Sequence, residues 1–213
     1  MSKENTVINP RTELKQRVIH VALDEFRVQG IKAVRMDDLA SQIGISKRTL
    51  YEIFKDKEEL LMDCLLYSNQ REKERVNDIR SKSKNVLEVI FGVFLYSIEM
   101  LHETNKLFFE DIKKYPAAYK LVQEVRNIDS KEKMAFFRQG VEQGIFRSDI
   151  NYPIVNELVK QQFNLLVNTD FFSHHPFLDV YESIMFTYLR GISTVEGTRM
   201  LEMFIKEYRG NKN

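Results

Sequence analysis

The chain has no tryptophan, one cysteine, four prolines and eight glycines in 213 residues. A single Cys64 excludes an internal disulfide framework and a thiolate metal cluster, and it fits a reducing compartment. With so few breakers, and with Leu, Lys, Glu, Phe and Met common, the composition favours helix almost everywhere. No apolar run approaches the roughly 18 residues of a membrane span. The opening MSKENTVINPRTELK also lacks the apolar core of a secretory signal. Neither charge dominates: 32 basic against 31 acidic residues leave +1, so any nucleic-acid site must be local. These features predict a soluble, cytoplasmic, all-α protein with no membrane partner.

Chemistry-bearing motifs are missing too. There is no Gly-rich phosphate loop, nucleophile elbow or acid and base couple, so no enzyme and no cofactor is expected. His102, His174 and His175 do not form a helical pair of ligands with a carboxylate, so no metal is expected. Cys64, on an apolar face, reads as a small buried hydrophobe rather than a redox sensor.

What is present is helical periodicity. Leu14, Val18, Ala22 and Phe26 recur at steps of four and predict a first helix over 12–29, with Thr12 as N-cap and Gly30 as stop. MDDLASQIG at 36–44 is a short second helix whose first turn carries Asp37 and Asp38, favourable to the helix dipole. Ser46 caps a third helix through Phe54, with Leu50, Ile53 and Phe54 turned inward. Small Ala40 and Gly44 allow the close approach and tight turn of a helix-turn-helix. Asp56 caps a fourth helix, with Glu59 completing a capping-box-like pair, and a charged stretch carries it to about residue 84. Further helices are expected over 85–101, 105–114, 116–144, 153–172, 176–193 and 198–208, three of them opened by Pro116, Pro153 and Pro176.

The third helix carries Lys47 and Arg48 in its opening turn, where the dipole disfavours positive charge. A charged helix end is ordinarily a solvated face. An external anion would reverse the sign, because exposed backbone N–H groups, the dipole and both cations would then point at it. DNA phosphates and guanine edges are such partners. Tyr51 shares the face of Lys47, Thr49 offers a hydroxyl and a methyl, and Lys57 again sets a cation at a helix start.

Residues 12–61 resemble the DNA-binding domain of the TetR (tetracycline repressor) family. The resemblance rests on ALDEF, Gly30, DDLASQIGIS, the Thr49-Leu50-Tyr51 step, Phe54 and DKEELL. It implies an all-α fold in two parts: an N-terminal three-helix DNA-binding domain with helix-turn-helix over 1–57, then a larger helical effector-binding and dimerisation domain over 58–213. It also implies that the third helix enters the major groove. Lys47, Arg48, Thr49 and Tyr51 would then lie at contacting positions, with Ser46 at the cap and Lys57 on a phosphate. Two departures stand out. Arg35 occupies a position that usually carries a small hydroxyl cap; it can reach phosphate but cannot cap. Arg48 replaces a residue that is often small, and its long side chain suits guanine.

A palindromic double-stranded operator implies a homodimer reading two half-sites. The expected interface lies over about 153–193, through Val155, Leu158, Val159, Gln162 and Leu166 on one helix and Phe177, Val180, Ile184, Tyr188 and Ile192 on the next. Intrachain core explains any one of these equally well. The family places a small-molecule pocket in the middle helices, about 85–144, where Phe94, Phe108, Phe109, Phe136 and Phe137 offer lining for an apolar or amphipathic effector. Aromatic stripes of this spacing commonly form core instead. The function expected is a repressor released by an effector; a transcriptional activator of the same fold, and a helical interaction module without DNA binding, are the alternatives.

Overall fold

The computed structural model describes residues 9–127, 130–168 and 175–210. Among them the chain forms α1 (Pro10–Gln29), α2 (Met36–Ile43), α3 (Lys47–Ile53), α4 (Lys57–Lys82), α5 (Val86–Glu103), α6 (Lys106–Asp111), a 3-10 turn (Ile112–Lys114), α7 (Pro116–Asn127), α8 (Ser130–Glu142), α9 (Tyr152–Asn168), α10 (Phe177–Ile192) and α11 (Val195–Gly210). No β-strand occurs among the described residues; a lone bridge joins Phe146 and Ser193.

Local chemistry sets the boundaries. Asn9, not Thr12, caps α1: its side chain accepts from the Arg11 amide at 3.0 Å, and Pro10 occupies the first position. Asn is the stronger cap and proline's fixed φ suits the first turn, so the helix starts earlier than the apolar stripe indicates. Ser46 accepts from the Thr49 amide at 3.0 Å. Asp56 accepts from the Glu59 amide at 2.9 Å, while Glu59 accepts from the Lys55 amide at 2.6 Å. The stretch expected as one helix over 116–144 is helical, as α7 and α8, on both sides of residues 128 and 129, which lie outside the described residues.

The helices gather into two compact units, one of residues 1–73 with 102–126, the other of 74–101 with 127–213. In the first, Val18, Ala22 and Phe26 of α1 pack with Leu39 and Ala40 of α2, Leu50 of α3 and Leu60, Leu61 and Cys64 of α4. Phe108, Ile112 and Ala118 join the same core. The segment bearing them is tied to the end of α1: the Asn105 amide donates to the Arg27 carbonyl at 2.8 Å, and its side chain to that of Val28 at 3.1 Å. Buried Asp111 accepts from the Lys32 amide and from Lys114 Nζ, both at 2.8 Å. The second unit centres on Leu87, Phe94, Phe146, Phe186, Leu189, Ile192, Leu201 and Ile205.

Candidate nucleic-acid interface

At 100° per residue, Leu50 and Ile53 of α3 define its inner side, and Arg48 lies opposite, flanked by Lys47, Tyr51 and Glu52. Burial agrees: Leu50 is fully buried, whereas Lys47, Arg48, Tyr51 and Glu52 are exposed. The turn that sets this orientation uses Gly44 in the left-handed region, φ 78°, where its amide reaches back to the Ala40 and Ser41 carbonyls. Two arginines of α1 brace the ends of the pair. Arg17 donates to the Ile43 carbonyl, and Arg11 to the Glu52 carbonyl at 3.1 Å. Each satisfies a C-terminal carbonyl and sets a cation at the negative end of a helix dipole.

The outward cations are held by neighbouring carboxylates. Lys47 Nζ lies 2.8 Å from Asp37 and 5.8 Å from the Tyr51 ring. The hydrogen bond to Asp37, reinforced by its charge, raises the Lys47 pKa, so this ammonium stays charged. Arg48 pairs with Glu52 at 2.9 Å. Exposed pairs of this kind are weak and screened by salt, so a phosphate or base edge can replace the carboxylate. Thr49 and Ser46 share a hydroxyl contact at 2.8 Å. Arg35 stands at the α2 cap position, exposed and without a side-chain cap bond, as expected.

Lys57 is occupied otherwise. Its Nζ donates to the carbonyls of Ile31 at 2.9 Å, Lys32 at 3.3 Å and Val34 at 2.8 Å, and lies 5.9 Å from the Tyr115 ring. Burial lowers its pKa. A phosphate contact by Lys57 would have to compete with three carbonyls of the α1–α2 connection.

Glu52, Arg11 and Arg17, and the pairing of Asp37 with Lys47, escaped sequence reasoning. The i,i+4 spacing of Arg48 and Glu52 signals their pairing. Asp37–Lys47 joins different helices, and the arginine braces link residues 26 and 41 apart, so no local pattern reveals them.

The five phenylalanines proposed for an effector belong to different cores. Phe108 and Phe109 meet edge to face at 5.6 Å in the first unit. Phe94 is buried in the second, stacked near Tyr181 and set edge-on to Tyr208 at 5.2 Å. Phe137 stacks on Tyr152 at 4.8 Å, and Arg80 lies 5.8 Å from the Phe136 ring. A groove of about 600 Å³ runs between α9 and α10, lined by Val155, Leu158, Val159, Gln162, Val180, Ile184 and Tyr188 among others. Leu158 is 57% exposed there, whereas Ile192, expected beside it, is buried in the intrachain core. The side chains of Leu166 and Phe177, and all of His174, lie outside the described residues. Burial pushes the Cys64 thiol pKa up, which disfavours the thiolate. No described helix is long and apolar enough to cross a membrane.

The sequence model for "Bacterial regulatory proteins, tetR family" matches residues 18–64, from within α1 to the second turn of α4. The HTH-type transcriptional repressor KstR2 of Mycobacterium tuberculosis is 25% identical over 148 residues, covering 67% of this chain and 74% of that protein. The HTH-type transcriptional regulator YhgD of Bacillus subtilis is 26% identical over 172 residues, covering 78% and 87%. A transcriptional regulator from Saccharomonospora viridis, solved with choline, shares the fold at a TM-score of 0.67 and 16% identity, covering 86% of this chain and 99% of that one.

Proposed function

We propose that the chain, whose residues 18–64 match the tetR family model, is a cytoplasmic, sequence-specific repressor of that family, released from DNA by a small apolar or amphipathic effector. The observation that carries this is the outer face of α3, where Lys47, Arg48 and Tyr51 project away from a buried Leu50 at a helix start. Lys47, Tyr51, Ser46 and Arg35 would engage phosphates, Arg48 a guanine, and Thr49 a phosphate or thymine methyl. Lys57 would act mainly by bracing the α1–α2 connection. Residues 1–57 then form the DNA-reading part and 58–213 the part that binds effector and dimerises through about 153–193. KstR2 is named a repressor, which supports the sign of regulation. The neighbour's bound choline supports a small-molecule ligand in a protein of this fold. In this reading the chain has no catalytic role, and activation or a DNA-free interaction module is disfavoured.

The test is titration onto labelled DNA from upstream of the chain's own gene, against a shuffled duplex, at several salt concentrations. Tight binding to the upstream fragment, weakening steeply with salt, is expected. Lys47→Ala should weaken binding to all sequences and reduce the salt slope by about one, whereas Arg48→Ala should cost about 1–3 kcal/mol at a guanine-containing operator only. Equal, feeble, salt-insensitive binding to both fragments would favour the interaction module.

A further inference from the structure

The outer face of α3 is not purely basic. Glu52 lies one turn beyond Arg48 on that face, exposed, with its carboxylate 2.9 Å from the Arg48 guanidinium. Its backbone carbonyl is fixed by Arg11 at 3.1 Å, so the end of the helix that presents it is braced. A carboxylate facing a major groove meets phosphates and acceptor edges, all of which repel it. The exceptions are exocyclic amino groups, cytosine N4 above all and adenine N6, which donate.

Resting on the reading that α3 enters the major groove, we infer that Glu52 is a specificity-determining residue that accepts from an exocyclic base amine beside the guanine read by Arg48. Four residues of helix rise about 6 Å, against about 3.4 Å per base step. The amine therefore lies one or two base pairs from the guanine. In the free protein Glu52 pairs with Arg48; on the operator the pair opens, and each partner takes a base edge. On other sequences the amine of that base pair lies on the opposite strand side and an acceptor faces the carboxylate instead, and the exposed ion pair is too weak to offset that repulsion. Glu52 thus both reads the operator and lowers affinity for the rest of the genome, the quantity that sets occupancy among competing sites.

The experiment is selection from a random duplex library with the full-length protein and with Glu52→Gln. Affinities are then measured for the selected operator and a shuffled duplex. Since Glu52 is exposed and Arg11 bonds only its backbone, Glu52→Gln should leave helicity unchanged. The wild-type motif should carry, in each half-site, a guanine and, one or two base pairs away, a position fixed in one strand orientation, cytosine above all, so that its amine faces Glu52. In Glu52→Gln, whose amide donates as well as accepts, the preference for cytosine at the amine-bearing position should be lost or shift to adenine while the guanine persists, and the operator-to-shuffled ratio should fall about tenfold, with shuffled affinity rising. Arg48→Ala should do the converse, losing the guanine and keeping the amine. Identical motifs for wild type and Glu52→Gln, with both affinities changed by one factor, would reduce Glu52 to an ion-pair partner and overturn the inference alone. A wild-type chain that enriches no motif would overturn the regulator reading with it.

Discussion

Asp111 shows how much a single buried carboxylate can organise. It is 5% exposed, and its two oxygens take the Lys32 amide and the Lys114 ammonium. Burial alone would raise its pKa; the hydrogen bonds from Lys114 and Lys32 outweigh that and hold the carboxyl below its ordinary value. A carboxyl with a lowered folded-state pKa adds stability that is present above its unfolded pKa, about 3.9, and is lost as pH falls through the folded value. Asp111→Asn should therefore cost about 2 kcal/mol at neutral pH, the scale of a hydrogen bond to a charged group. The gap to wild type should stay constant down to about pH 5 and close below about pH 4. Denaturant midpoints across that range measure it, and a gap that does not change with pH would show that the charge on Asp111 contributes nothing.

At the scale of elements, the helix-turn-helix was legible because its information is local: a cap at Ser46, a turn glycine at Gly44, and inward Leu39, Ile43 and Leu50 within a dozen residues. What escaped depends on partners far along the chain. Phe108 and Phe109 look like pocket lining in sequence. They pack against the core of α1 to α4, because α6 docks on the C-terminus of α1. Lys57 looks like a phosphate ligand in sequence, where the carbonyls of Ile31, Lys32 and Val34 that hold its ammonium cannot be seen.

Gly30 is the hinge of that docking. It sits at φ 86° and ψ 152°, a region that side chains avoid, and an added Cβ would lie 2.8 Å from Leu107 Cβ. Gly30→Ala should cost about 3 kcal/mol through strain, and more where the clash displaces α6. Hydrogen exchange should then show the Asn105 and Lys32 amides losing protection, since both bonds span that contact. Gly44→Ala has open space around the new methyl and should cost only the left-handed strain, about 1 kcal/mol. Its Asn105 protection should match wild type. If both variants lose protection alike, Gly30 has no special part in seating α6.

For the whole molecule, a net charge of +1 gives little long-range pull towards DNA, so in the proposed function specificity rests on two local basic faces held at a fixed separation. The proposed dimer supplies that separation, and if its seam is the α9–α10 groove, it can be broken there without harming the protomer. Leu158 is 57% exposed in one chain, so a charge there should alter protomer stability by about 0.5 kcal/mol or less. In an apolar seam the same charge loses its water and finds no partner, which is costly. Leu158→Glu should therefore sediment as a monomer with unchanged helicity. Its affinity for a full palindrome should fall to that of a single half-site, while the Arg48 preference for guanine persists within that half-site. A Leu158→Glu protein that still sediments at twice the chain mass and binds the palindrome like wild type would move the dimer seam away from this groove. The register of the two recognition helices would then be set by some other surface.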